Sequence, residues 1–358
     1  MRIAQFNVEN LFDRAAVMNL DDPKQGKPIL EAFADINEHL LKPVYNAADR
    51  AAIVAALKVL GLETSDESTW AVLRQNHGRL LKRSKGQITI TAVGREDWVG
   101  GVELKEAPVE ETATRMTAKV IDEVGADILG IEETEGLDTL RGFNRTLLHK
   151  VQAEYDHLMS VRGNDTRPID VALLTRNGKV IESIVSHVDD AAGGKRIFSR
   201  DCPEYTIHAG AETILVMVNH FKSQGYGKKA DNDARRKAQA QRVREIYDAR
   251  RADGFDNIVI LGDFNDVPSS DALSPLLANG SDLRDISAHP GFVDDGRGTY
   301  ADGKKLDYIL FSPALFAKIT GGGTLRKGMW KAPQQYGEIK VQADAASDHA
   351  ALFADLAL

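Results

Sequence analysis

Apolar residues along this chain gather into short runs, at 3–6, 128–131, 171–174, 214–218, 258–261 and 308–311. Most are rich in Val, Ile and Leu and are flanked by polar residues or Gly, as sheet strands buried on both faces would be. Between them the apolar spacing lengthens to that of helices. In "TATRMTAKVIDEVG" (112–125) Met116, Val120, Ile121 and Val124 share one face and Gly125 marks the exit. In "DARRKAQAQRVREIYDAR" (233–250) Ala238, Val243, Ile246 and Tyr247 are expected to face inward and the Arg and Lys residues outward. Strands alternating with helices predict an α/β fold.

Residues 14–111 break this rhythm. They hold one clear helix, "AADRAAIVAALKVLG", then a basic stretch, a strand-like "GQITITAV" and an acidic patch. The reading is one domain over 1–358, interrupted by an insertion at about 14–111; an independent small domain is the alternative.

Composition narrows the class. The 358 residues are 43% hydrophobic and 27% charged, enough apolar content for a real core. No run reaches the ~20 apolar residues of a bilayer helix, so no membrane association is expected. "MRIAQFNVEN" lacks the apolar core of a secretory signal, and the expected compartment is the cytoplasm. A single cysteine, Cys202, excludes an intramolecular disulfide and a multi-cysteine zinc site. The net charge of −8 counts against a surface that coats nucleic acid throughout, but not against a local basic track. Two segments run against the average: "RQNHGRLLKRSK" (74–85), and "KSQGYGKKADNDARRKAQAQRVR" (222–244) with eight Arg or Lys against two Asp. Either alone reads most simply as a solvated helix face or loop.

The strands end in polar residues. "IAQFNVEN" ends in Asn7, Glu9 and Asn10; "DILGIEET" in Glu132 and Glu133; "ILVMVNH" in Asn219 and His220; "ILGDFND" in Asp263 and Asn265. "KKLDYILF" begins with Asp307, and "ASDHAALF" sets Asp348 and His349 just before an apolar run. A single Asn or Asp after a strand is usually a turn residue. "GDFND" is more specific, because alternation in an extended chain sends Asp263 and Asn265 one way and Phe264 into the core.

Taken together, "FNVENLF", "GIEET", "NHFKS", "GDFND", "KLDYILF" and "SDHA" resemble the successive motifs of the endonuclease/exonuclease/phosphatase superfamily. The resemblance implies the deoxyribonuclease I-like fold, a four-layer α-β-β-α sandwich with two mixed β-sheets and the active site at one end. It implies metal-binding roles for Asn7 and Glu133, with Asp348 a further metal-side carboxylate. Asp263 and Asn265 would hold the attacking water and the phosphate. His349 would be oriented by Asp307, and His220 would touch the phosphate or assist the leaving group. Arg167, in "RPIDVALL", would contact phosphate. Where many members carry Gln-Glu this chain carries Glu132-Glu133, and alignment and strand alternation assign the metal to Glu133.

Carboxylates at 133, 263, 307 and 348 could share a pocket in ionised form only around a cation. Oxygen donors suit Mg²⁺ or Mn²⁺ rather than zinc. Asp263 or His349 would then be the base. The substrate expected is nucleic acid, DNA or RNA, because the basic track begins two residues after His220. Asn219, Lys222, Lys228 and Lys229 would contact it, and the basic part of the insertion would flank the groove. The alternative is a phosphatase or phosphodiesterase acting on a small-molecule or lipid phosphoester; an inactive binding scaffold is a third reading. No obligate protein partner is expected.

Overall fold

The computed structural model describes the chain except residues 10–12, 16, 18–22, 85, 109–110, 166–168, 226–227 and 279. It resolves into two compact units, Met1–Phe12 with Val109–Leu358, and Asp13–Pro108.

In the first unit the predicted apolar runs form the central strands of two mixed sheets. The seven-stranded sheet runs in the order Phe292–Val293, Ile319–Leu325, Ala351–Leu356, Arg2–Asn7, Ile128–Thr134, Asp170–Thr175, His157–Val161. The six-stranded sheet runs Lys179–Val185, Glu204–Ala209, Glu212–His220, Ile258–Asp263, Asp307–Phe311, Arg284–Asp285. Alternation gives each central strand two apolar faces. One face of each sheet meets the other in a shared layer that includes Ile3, Ile128, Val171, Val216, Val218, Val259, Leu261, Ile309 and Leu352. The opposite face of the first sheet packs on the helix Glu111–Val124 through Ala4, Phe6, Leu129, Val120 and Ile121. The opposite face of the second packs on Lys229–Ala252 through Met217, Ile260, Val243 and Tyr247. This is the expected α-β-β-α sandwich.

The long helix corrects one detail. Ala238 is exposed and Arg236 is fully buried. A guanidinium can occupy an inward position because it is paired: Arg236 donates from Nε to Asp266 at 2.9 Å and from Nη1 to the Lys222 carbonyl at 3.0 Å.

The second unit contains the predicted helix as Ala47–Val59, opened by a capping box between Asn46 and Asp49. A second helix, Pro23–Leu40, packs on it. The basic stretch is not a loop. It forms Ala71–His77, which pairs with Val99–Leu104, and Leu81–Ser84, which pairs with Gln87–Ile90. Two of its cations are already engaged, Arg74 with Glu103 and Arg83 with Asp66 and the Leu62 and Ser65 carbonyls. Among the described residues, no helix is long and apolar enough to cross a membrane.

Candidate active site

The layer between the sheets changes from aliphatic to polar toward one end. Along the first strand, Ile3, Gln5 and Asn7 face the second sheet in turn. On the Glu212–His220 strand the same face carries Val216, Val218 and His220, and on Ile258–Asp263 it carries Val259, Leu261 and Asp263. The register sets His220 beside Asp263 and Asp263 opposite Asp307. Rigid ladders thus bring together groups that lie far apart in sequence.

Asp263 is the hub. Its Oδ2 accepts from Asn7 Nδ2 at 3.2 Å and from Asn265 Nδ2 at 2.9 Å, and its Oδ1 accepts from the Asn265 backbone at 2.8 Å. His220 Nε2 lies 3.7 Å from Asp263 and 3.7 Å from Glu133 Oε1, which also faces Asn7 Nδ2 at 3.4 Å. His349 donates from Nδ1 to Asp307 at 2.9 Å, while Gln5 Nε2 donates to the other Asp307 oxygen at 2.7 Å. His349 Nε2 is left facing Asp263 at 3.9 Å and Asp348 at 3.7 Å. Ser347 ties the pieces together: its hydroxyl donates to the Asn7 carbonyl at 2.7 Å and accepts from the His349 backbone. Among the described residues, ligand atoms of Asp263, Asp307 and His349 lie within 4.8 Å of one another.

Two placements have a different cause from the one the sequence suggests. Plain alternation would turn Glu132 toward the inter-sheet layer and Glu133 away from it. Glu132 does lie inside that layer, fully buried, whereas Glu133 reaches Asn7 and His220 because its backbone is left-handed, with φ 65°. Asn265 likewise lies beyond the end of its strand, and a φ of 54° folds its amide back onto Asp263. Non-glycine residues held in this region are uncommon, and they concentrate where function fixes the backbone. Gly262, with φ 134°, precedes the hub, and a Cβ there would collide with the Asn219 carbonyl. Phe264 does enter the core as expected, stacked between Phe221 and Tyr308.

The electrostatics follow from burial and crowding. Burial, with Asp307 and Glu133 nearby, pushes the Asp263 carboxyl up to about 7, against the pull of His349 and the Asn265 N–H. Burial also pulls the His349 imidazolium down, but Asp307 and Asp263 outweigh it and hold the ring protonated well above the ordinary histidine range. Glu132 has neither carboxylate oxygen hydrogen-bonded, and burial together with Asp307 and Asp263 raises its carboxyl well above the ordinary range, which favours the neutral acid.

Asn7, Glu133, His220, Asp263, Asn265, Asp307, Asp348 and His349 are brought together. Asn219 is not: it alternates to the helix-facing side with Leu215 and Met217, fully buried, where its amide donates to the Met217 carbonyl. It cannot touch substrate. Lys222 follows the site, its backbone held by Gln239 and Arg236. Lys228 and Lys229 are exposed at the start of the long helix, Lys229 paired with Asp233. Arg167 and Asn10 lie outside the described residues. Gln5 and Ser347 were missed, although Gln5 shares the two-residue spacing of Ile3 and Asn7. Glu9, also left without a role, has φ 49° and accepts from the Asp348 backbone at 2.9 Å.

Residues 90–322 match the family model described as "Endonuclease/Exonuclease/phosphatase family". No curated protein gives a significant match. Among solved structures, a mannosyl-6-phosphatase of Bacteroides thetaiotaomicron is 18% identical with a TM-score of 0.52, covering 69% of this chain and 92% of that one. An endonuclease/exonuclease/phosphatase family protein of the same species is 17% identical with a TM-score of 0.50, covering 68% and 86%. At such identity the likeness is one of fold.

Proposed function

The chain belongs to the endonuclease/exonuclease/phosphatase family, and from that membership and the site's geometry we propose that it is a divalent-cation-dependent phosphoester hydrolase acting as a nuclease, which cuts DNA phosphodiester bonds by in-line attack of water. The observation that carries this reading is the meeting of Asn7, Glu133, His220, Asp263, Asn265, Asp307 and His349 at one end of the inter-sheet layer.

The residues fit a cation. The Asp263 carboxyl is raised first by burial and then by Asp307 and Glu133, so a cation nearby would offset both the lost hydration and the crowded carboxylates. Glu133 and Asp348 offer carboxylate oxygens, the donor type of a hard ion such as Mg²⁺ or Mn²⁺, while Asn7 turns its Nδ2 toward Glu133 and Asp263 and its Oδ1 accepts from the Glu9 N–H at 3.0 Å, so it would serve as a ligand only with its amide turned over. A seat among Asp263, Asp307 and His349 is disfavoured, because His349 and Asp307 are bonded to each other and the ring would have to give up its proton. Bound beside Glu133, the ion would offset charge gathering on the phosphoryl oxygens.

The chain's own groups divide the remaining work. Asn265 and Asp263 hold a water, and Asp263, with its carboxyl near neutrality, accepts the proton. His349 stays protonated and donates from Nε2 to a phosphoryl oxygen; Asp307, itself held by Gln5, fixes the ring. His220 supplies a second N–H on the far side of Asp263.

A pH dependence follows. The competent form of Asp263 is the carboxylate, and with its carboxyl raised to about 7 that form is lost as pH falls through this value. The acid limb of kcat/KM is expected there at limiting Mg²⁺ and to move to lower pH at saturating Mg²⁺, since a nearby cation favours the charged carboxylate. A limb indifferent to Mg²⁺ would separate Asp263 from the cation site.

The DNA reading rests on Lys222, Lys228 and Lys229, which lead away from His220. A small phosphoester is the second reading, and one observation favours it: much of the basic track, Lys229 with Asp233 included, is neutralised by neighbouring aspartates. Arg236, Lys237, Arg242 and Arg244 pair with Asp266, Asp271, Asp190 and Asp248 respectively. The test is nicking of supercoiled plasmid by purified protein with Mg²⁺, abolished by EDTA. Phosphate release from small monoesters without nicking would support the second reading; neither activity would overturn both.

A further inference from the structure

We infer that Arg236 and Gln239, on the inward face of the long helix, are positioning residues: they bind the loop that leaves His220 to the loop that carries Asn265, and so aim Asn265 at the attacking water. This rests on the hydrolase reading of the same site. Along Lys229–Ala252 the buried positions Asn232, Arg236, Gln239, Val243 and Ile246 recur at three- and four-residue spacing, a single stripe. Its C-terminal part is apolar and packs on the sheet, whereas its N-terminal part is polar and reaches the loop that follows Asp263.

The grip falls on both sides of one residue. Gln239 Oε1 accepts from the Lys222 N–H at 2.8 Å, and Arg236 Nη1 donates to the Lys222 carbonyl at 3.0 Å. From the same guanidinium, Nε donates to Asp266 at 2.9 Å, while the Tyr308 hydroxyl donates to the Asp266 carbonyl at 2.8 Å. The two loops so held meet at three further points. The Phe221 N–H donates to the Asp263 carbonyl at 2.9 Å, Asn265 Nδ2 to the Phe221 carbonyl at 3.3 Å, and Gln224 Nε2 to the Asn265 carbonyl at 2.7 Å.

These bonds decide what Asn265 can offer. Its backbone is left-handed, a state that persists only where neighbours over-determine it. Its Nδ2 is spent on Asp263 and on the Phe221 carbonyl, so the atom left for the water is Oδ1, an acceptor. Asp263 and Asn265 then take one water hydrogen each and leave the oxygen lone pairs for phosphorus. If the Lys222 segment shifts, the Phe221 carbonyl leaves Nδ2 and the amide is free to turn over. An N–H would then meet the water where an acceptor is needed.

The test pairs Mg²⁺-dependent kinetics on bis(p-nitrophenyl) phosphate with NMR of the Asn265 side-chain amide in metal-free protein. Gln239→Met removes the acceptor at similar size. It is expected to lower kcat by about tenfold with KM within about twofold, as for a group that acts in the transition state. Gln239→Glu keeps the acceptor, and Gln239 Nε2 has no partner among the described residues, so no other bond is lost. Its kcat should stay within about threefold of wild type. Arg236→Lys keeps the charge but cannot reach Asp266 and Lys222 together, and should cost about 10²-fold. The Asn265 Nδ2 resonances should move in Gln239→Met and Arg236→Lys and stay in place in Gln239→Glu. Should Arg236→Lys fail to fold, the Gln239 pair decides alone. Equal losses in Gln239→Met and Gln239→Glu would reduce Gln239 to packing and overturn the inference. So would a Gln239→Met protein with wild-type turnover, or a slowed one whose amide signals have not moved. A protein without diesterase activity whose amide signals still follow this pattern would sink the hydrolase reading and leave the clamp standing.

Discussion

Replacing His349 by alanine is expected to lower kcat/KM on a phosphodiester by about 10²- to 10⁴-fold, the range for loss of a positioned acid or base. The imidazole faces the Asp263 hub at 3.9 Å, fixed at Nδ1 by Asp307 and through its backbone by Ser347. Nothing nearby replaces it, because His220 approaches Asp263 from the neighbouring strand and sits beside Glu133. The fold should survive, since Asp307 does not depend on His349 alone: Gln5 still donates to it. Asp307→Asn is expected to fall between wild type and His349→Ala, because the ring keeps its place against Tyr300 but loses the partner that holds it charged. Steady-state rates, with thermal unfolding as a control for folding, check both. A folded His349→Ala protein that turns over like wild type would remove the histidine from the chemistry.

How much of this could be read from the chain depends on which physical signal each residue carries. The inter-sheet ends of the strands were legible because alternation is a local rule, and Asn7, His220, Asp263 and Asp307 obey it. Asn219 obeys it too, and for that reason faces the helix layer rather than substrate. Glu133 and Asn265 were found by motif, yet the mechanism that aims them, a left-handed backbone, leaves no mark on a hydrophobic pattern. Arg236 was misread because charge type predicts a surface position unless the partners are known, and Asp266 lies thirty residues away. The helix Pro23–Leu40 was hidden by Gly26 and Pro28, residues that ordinarily punctuate helices. Tyr300, whose ring lies 4.9 Å from the His349 imidazole, sits in an irregular strap whose shape is set by bonds to Lys304, Asp348 and Ala350, none of which a periodicity could announce.

Glu132 and Glu133 are adjacent and chemically identical, and their conversion to glutamine is expected to give opposite results. Glu133 faces Asn7 and His220 at the mouth of the site, partly exposed, where a carboxylate can meet a cation. Glu133→Gln should cost about 10²-fold in kcat/KM at moderate Mg²⁺, since metal stabilisation of a phosphoryl group is worth several kcal/mol and each 1.36 kcal/mol is tenfold. Part of that loss should return at high Mg²⁺. Glu132 is sealed between the sheets with no hydrogen bond to either oxygen, and burial, with Asp307 and Asp263, raises its carboxyl well above the ordinary range and so favours the neutral form. Glutamine there keeps shape and charge, so activity should stay within about threefold. Stability should rise, and the sign follows from the raised carboxyl. An acid whose pKa is higher folded than unfolded costs nothing while both states are protonated. It then costs progressively more as pH climbs past the unfolded value, because the unfolded chain gains a charge that the fold withholds. The melting-temperature advantage of Glu132→Gln over wild type, measured in EDTA, should therefore widen from pH 5 to pH 8. If it narrows, or if Glu132→Gln is the inactive variant, the assignment of the two carboxyls is reversed and the cation belongs inside the sandwich rather than at its end.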